Sequence, residues 1–330
     1  MTRLLRVIVA AGAALLAMAA SAPAQMQGPL QGQYPNKPVT LIVPFGPGST
    51  TDTISRIIAQ HLGQALNQSI VIENKPGANG AIAAAYVARA APDGYTLLMA
   101  TVLNAINASV YDKLPFNFIR DATPIASILD AAFVLEVHPS VPATTVAELV
   151  AYAKAHPGKL AVASAGVGSP EHVASELFKM MAGVDMLHVT YKGSGPALTD
   201  LVAGQVQVYF GPVAPSVEYI KSGRLRGLAV TTSRRTQALP ELPALAESLP
   251  GFEVSAWHGL IGPRNVPAPV VQVLNKAVNE TLHDQAIQAR FADLGITPVA
   301  GSPEDFRALI VRDTEKWANV VRTVGIKPEA

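Results

Sequence analysis

The chain has 330 residues, 49% hydrophobic but only 6% aromatic, with 25 Lys and Arg against 24 Asp and Glu and no cysteine. This composition excludes a disordered chain, a disulfide framework and a thiol nucleophile. A formal charge of +1 leaves no basic patch for nucleic acid or an anionic membrane, and the Ala-, Val- and Leu-rich interior suits α/β layers.

Residues 1–24 read as a secretory signal peptide. Arg3 and Arg6 supply the positive start, residues 7–20 are uncharged and apolar, and Ala20-Ser21-Ala22 and Ala22-Pro23-Ala24 are small-residue cleavage candidates. The stretch is short for a membrane span. Export to a periplasm with cleavage near Ala22 or Ala24 is therefore expected, with the mature chain soluble and monomeric. The leader carries two arginines and no acid, so the remainder has a net charge of −1, and its roughly 300 residues favour two domains.

After a polar stretch, residues 39–45 read as a strand and 50–66 as a helix, with Ile54, Ile57, Ile58, Leu62 and Leu66 on one face. Ser49 fits the N-cap, and Asp52 three residues later suggests a capping box. A strand at 70–73, a turn-rich segment at 74–80, a helix at 81–90 and a strand at 95–100 follow. This alternation implies a parallel sheet covered on both faces. A second unit runs from about 132 to 255. Its strands are expected at 133–137, 160–164, 186–189, 206–210 and 227–231, and its helices at 146–156, 170–181 and 196–203. Beyond Leu260 the chain reads as helical, closing with a helix capped by Ser302-Pro303-Glu304-Asp305. Two crossings, at 125–132 and 255–261, would join two lobes around a hinge and cleft. The expected division is 34–130 plus 256–330 for the first domain and 131–255 for the second.

Three apolar runs end in a Gly-x-Gly turn that opens into a helix: TLIVPF-GPGSTTD, LAVASA-GVGSPEH and LHVTYK-GSGPALTD. Such a turn offers free N–H groups, a helix dipole and close backbone approach, the ingredients of an anion site. Ordinary βα turns of an α/β protein share part of this pattern. Only Lys192 carries positive charge in the three turns, so backbone N–H groups and hydroxyls would hold an anion.

Enzyme signatures fail. No serine stands in Gly-x-Ser-x-Gly, no His-Glu-x-x-His occurs, and no glycine turn continues into Gly-Lys-Ser/Thr. Thr51, Glu171 and Leu198 stand where a dinucleotide fingerprint needs its third glycine. No cofactor and no metal are expected. His172 beside Glu171 reads as a cap partner or pocket hydrogen-bonder before half a metal site, and Asp52 as a helix cap. Trp257 and His258 could floor a pocket or pack as ordinary core.

The stretches YPNKPVTLIVPFGPGSTTD, VIENKPGANGAIAAAYVARAAPDGYTLL, YAKAHPGKLAVASAGVGSPEHVASELF, VTYKGSGPALTDLVAGQV and YIKSGRLRGLAVTTSRRTQALPELPALAE, with residues 306–327, resemble the extracytoplasmic receptors of tripartite tricarboxylate transporters, the Bug-type solute receptors. The resemblance covers nearly everything after Gln33. It implies a two-domain α/β periplasmic binding protein of type II, a Venus-flytrap closing on a small carboxylate and delivering it to membrane permease subunits.

It also implies a set of ligand-facing positions. One loop runs from Phe45 through Gly46, Pro47, Gly48, Ser49 and Thr50 to Asp52. A second runs from Ser164 through Ala165, Gly166, Gly168 and Ser169 to His172. Thr101, Asn104, Tyr191, Gly193 and Gly211 complete the set. The chain departs from the family pattern in Ser49 and Thr50, where Gly is frequent, in Pro47, and in Gly211, which replaces a frequent acid. Those departures leave the identity of the acid open. A periplasmic hydrolase or isomerase acting on a small acid, and a sensory receptor for a membrane kinase, are the competing readings.

Overall fold

The computed structural model describes residues 34–111, 114–293 and 296–327; the signal-peptide reading of residues 1–24 lies outside them. In chain order the elements are β1 (Val39–Val43), α1 (Thr50–Leu66), β2 (Ile70–Asn74), α2 (Ala81–Ala88), β3 (Thr96–Thr101), α3 (Val102–Val110), β4 (Ala122–Asp130) and β5 (Phe133–Val137). There follow α4 (Val146–Ala155), β6 (Ala161–Ser164), α5 (Pro170–Ala182), β7 (Leu187–Thr190), α6 (Ser194–Val202), β8 (Val208–Pro212), α7 (Val213–Lys221) and β9 (Arg226–Val230). The chain closes with β10 (His258–Pro263), α8 (Ala268–His283), α9 (Gln285–Asp293), β11 (Thr297–Pro298) and α10 (Pro303–Val324).

The strands form two sheets, one ordered β11-β4-β10-β3-β1-β2 and the other β7-β6-β8-β5-β9. Both are mixed, where a parallel sheet was expected for the first. β1 runs parallel to β2 and β3, and β6 runs parallel to β7 and β8, as the βα alternation requires. The short β11 runs antiparallel to β4 at the edge of the first sheet; the two antiparallel strands inside the sheets are β10 against β3 and β5 against β8. Each of these strands enters its sheet from the other one, so no helical crossover forces it parallel. The two passages lie side by side, with Ala132 bridged to Ser255 and the Ala256 N–H bonded to the Ala131 carbonyl at 2.9 Å.

Sequence and structure agree best where a helix has both a cap and a stripe. α1 begins and ends as expected; Ile54, Ile58 and Leu62 are buried, and Asn67 closes it in the left-handed conformation. Two helices went unread, α3 and α7. Each begins directly after a strand with no glycine turn between, the punctuation on which the reading relied. α10 uses the full box, Ser302 accepting from the Asp305 N–H at 3.1 Å and Asp305 from the Ser302 N–H at 3.0 Å. It packs on α3 and β4 of the first sheet and on α5 of the second. Trp257 sets its ring edge-on to Phe306 and donates its Nε1–H to Asp313 at 2.7 Å, so it serves as core between β10 and α10. No helix among the described residues is long and apolar enough to cross a membrane.

Candidate functional site

The first two glycine turns are built alike. Gly48 and Gly168 lie at φ +81° and +74°, where a side chain would strain the backbone. Ser49 and Ser169 follow as N-caps with nearly identical dihedrals, φ −67° and ψ 158° against φ −65° and ψ 158°. Each serine Oγ accepts the N–H three residues on, that of Asp52 or His172, at 3.2 Å. Each serine N–H returns to the first glycine's carbonyl, Gly46 at 3.2 Å and Gly166 at 3.1 Å. The fourth residue after each second glycine reaches back to accept its N–H: Asp52 Oδ2 from Gly48 at 2.9 Å, and His172 Nδ1 from Gly168 at 3.1 Å. The reciprocal arm of the first capping box thus falls on Gly48 rather than on Ser49.

Asp52 is buried and ionised. The Arg56 guanidinium, at 3.0 Å, outweighs burial, and Asn74 Nδ2 at 2.9 Å with the Gly48 N–H adds to it, holding the carboxyl down at about 2. Asn74 also donates to the Phe45 carbonyl at 2.8 Å, which pins the loop start that carries Pro47. His172 carries no charge at neutral pH; burial pushes it down to about 3, and His188 and Lys179 push the same way. Its ring lies over His188 at 3.9 Å between centroids and 11° between planes. His188 in turn holds Ser164 Oγ at 2.7 Å.

His172, Glu176 and His188 have metal-ligating composition and lie close together. Stacked imidazoles direct their in-plane lone pairs along parallel planes, so one ion cannot meet both without a ring leaving its stack. Lys179, 2.8 Å from Glu176 Oε1, further disfavours a cation there.

The third turn departs from the pattern. Gly193 itself is the N-cap, without a side-chain bond, and Ser194 is the first residue of α6. Ser194 Oγ donates to Glu171 Oε1 at 2.7 Å. The third helix has no side-chain cap, and its serine serves a buried acid at the start of the neighbouring helix. Burial pushes the Glu171 carboxyl up. Tyr191 donates its hydroxyl to Asp200 at 2.8 Å. Gly211 lies buried in β8, and a Cβ there would run into the Glu136 carboxyl and the Tyr209 ring. The glycine therefore makes room for Glu136, which is bonded by Ser216 at 2.7 Å and pushed by burial up to about 8.

In the first sheet, Thr51 donates its hydroxyl to His258 Nε2 at 3.0 Å, because the Ala256 carbonyl opposite His258 Nδ1 can only accept. His258 pairs with Thr101 across β10 and β3, which brings the start of α1 beside the start of α3. There the Thr101 N–H donates to Asn104 Oδ1 at 2.9 Å, while Thr101 Oγ1 and Asn104 Nδ2 are buried without a hydrogen-bond partner. The Thr50 and Thr51 N–H groups, in the first turn of α1, also make no bond to the described protein.

A cavity of about 480 Å³ lies between loops of the two sheets. Ala165, Gly166 and Tyr191 of the expected set line it; Asn79, Tyr111, Val167 and Lys192 also do and were not in that set. Asn74 and His188 were missed as well, because each acts from a strand far in sequence from the turn it holds; His258, read as pocket floor or core, is buried against the start of α1.

The sequence matches the Tripartite tricarboxylate transporter family receptor over residues 54–326, and the chain belongs to that family. It is 35% identical to protein BugT of Bordetella pertussis over 330 residues, 99% of this chain and 99% of that one. Among solved structures it is similar to Rpa4515 of R. palustris with adipate, at 38% identity and a TM-score of 0.75, covering 90% of this chain and 100% of that one. MatC of Rhodopseudomonas palustris with bound malate gives 34% identity and a TM-score of 0.72, covering 87% and 100%. The fold is the two-lobed α/β fold of periplasmic binding proteins with its cleft between lobes.

Proposed function

We propose that the chain is a non-catalytic periplasmic receptor that captures a small organic acid and hands it to a tripartite membrane transporter. The observation that carries this reading is a set of idle donors: Thr101 Oγ1 and Asn104 Nδ2, buried and without partners, beside the open N–H groups of α1. Donors without a matching acid suit an acceptor-rich anion such as a carboxylate. The relatives with adipate and malate support that class.

On this reading the lobes are 34–130 with 256–330, and 131–255. The signal peptide is cleaved near Ala22 or Ala24 and the receptor acts as a monomer. The carboxylate lies between the Ser49 and Ser169 helix starts, with the first supplying more of the donors. The Gly48 and Gly168 N–H groups are engaged by Asp52 and His172, and Glu171 sits at the start of α5. A calorimetric screen of mono- and dicarboxylates tests the reading. Saturable binding of an acid without turnover is expected, and heat from none of them would end it.

A further inference from the structure

The cavity of about 480 Å³ far exceeds what one carboxylate needs, and its walls differ in chemistry from the idle donors just described. The first-sheet side brings Ala78 and Asn79, after β2, and Val110 and Tyr111, at the end of α3. The second-sheet side brings Ala165, Gly166 and Val167 from the β6–α5 turn and Thr190, Tyr191 and Lys192 from the β7–α6 turn. No acidic side chain stands among these lining residues, and one cation does. The Lys192 side chain is exposed and makes no ion pair or hydrogen bond with the described residues.

A second feature points to the same place. Ala78 and Asn79 both hold left-handed backbone, φ +45° and +49°, which a non-glycine residue adopts at a cost. Asn107, buried on α3, fixes the turn by donating to the Asn79 carbonyl at 2.9 Å. A strained turn held by a buried side chain against a cavity is typical of a ligand wall.

We propose that Lys192 receives the outer carboxylate of a dicarboxylate in this cavity, and so separates dicarboxylates from monocarboxylates of equal length. The assignment rests on the carboxylate-receptor reading above. One carboxylate takes the idle donors of the first sheet, the methylene chain runs past Val110 and Val167, and the second carboxylate meets the ammonium. Lysine suits this role because a point charge on a flexible stem follows an acid over a range of chain lengths.

Calorimetry on the whole receptor with succinate, glutarate, adipate and suberate, each beside its matching monocarboxylate, tests the assignment. Lys192→Gln removes the charge at an exposed position with no structural partner. It should weaken the best dicarboxylate about ten- to a hundred-fold, the scale of one lost charge-assisted bond. The monocarboxylates should stay within about two-fold, and Lys192→Arg should recover most of the loss. Equal losses in both series, or no loss in either, would overturn the role of Lys192 while leaving the receptor reading intact. An unaltered protein that binds neither series would remove both.

Discussion

The starts of α1 and α5 share a backbone and differ in charge. Gly48-Ser49 and Gly168-Ser169 have the same dihedrals, the same cap bond and the same return bond to the preceding glycine. Yet Asp52 closes the first turn as an anion and His172 closes the second as a neutral ring. The turn therefore requires an acceptor four residues after the glycine, and nothing more of that side chain. Its charge is set by the surroundings: Arg56 and Asn74 around Asp52, and burial, with the His188 ring stacked on it, around His172.

The sharpest way to break this comparison is to exchange the acceptors. His172→Asp keeps an acceptor near the Gly168 N–H but buries a carboxylate near Glu176, whose Oε1 lies 3.8 Å from His172 Nε2. An unpaired buried charge of this kind costs about 3–5 kcal/mol. Urea unfolding at neutral pH should show a loss of that size, shrinking as acid protonates the new carboxyl. A loss under about 1 kcal/mol at neutral pH would show that the second turn tolerates a charge and that the comparison is wrong. Asp52→Ala is milder. It strands the Gly48 N–H, while Asn74 keeps the Phe45 carbonyl and the exposed Arg56 turns to water. A loss of about 1–2 kcal/mol is expected from the same titration.

These acceptors also mark how far the sequence could be read. The α1 boundaries, the serine caps and both sheets' parallel strands follow from local signals: apolar spacing, Gly-x-Gly punctuation and a hydroxyl before the helix. The antiparallel entries of β5 and β10 do not, because direction is set by where the chain arrives from rather than by the strand's own residues. Nor could spacing show that His188 would stack on His172, or that Glu136, 75 residues before Gly211, would fill the space over it. The glycine turns and their serines were visible in the sequence; which of their N–H groups remain open was decided by Asp52, His172 and Glu171, whose side-chain directions only the fold supplies.

A gentler test varies pH and keeps every atom in place. His172 titrates near 3 when folded and near 6.5 when unfolded. The unfolded chain thus binds the extra proton between those values, and stability from this group falls as pH drops from 6.5 toward 3. Asp52, folded near 2 against an ordinary value of 3.8, loses its contribution only below 3.8. His258, which accepts from Thr51 at the first start, is itself held by burial down to about 4, so both starts should loosen as pH drops below 6.5, which hydrogen exchange at the two turns would resolve; loosening of the second alone would contradict it. Glu136 has the opposite sign. Its folded value near 8 lies above the unfolded 4.5, so stability declines as pH rises through that window. Glu136→Gln should abolish that decline, and an unchanged alkaline slope would show that Glu136 is not its source.

The smallest expected effects fall on the serines, and they probe whether the matched geometry means matched function. Each Oγ accepts the cap N–H; the Ser49 hydroxyl keeps its own proton to donate, whereas the Ser169 hydroxyl also lies against the Glu171 carboxyl. Ser49→Ala and Ser169→Ala should each cost about 1 kcal/mol of stability, because the cap is the same. Affinity should separate them. Ser49 has open N–H groups beside it at Thr50 and Thr51, whereas Ser169 is followed by Pro170, which has no N–H, and by Glu171, whose carboxyl lies by the helix start. Loss of the Ser49 hydroxyl leaves neighbouring donors to compensate, so a drop of about three-fold in acid affinity is expected. The Ser169 hydroxyl has no such substitute, and its loss should weaken binding about ten-fold or more, the worth of one bond to a charged group. Calorimetry well below the melting temperature keeps the lost cap out of the measurement. Equal affinity losses would mean the two starts contribute alike, and unchanged affinity in both would place the carboxylate elsewhere.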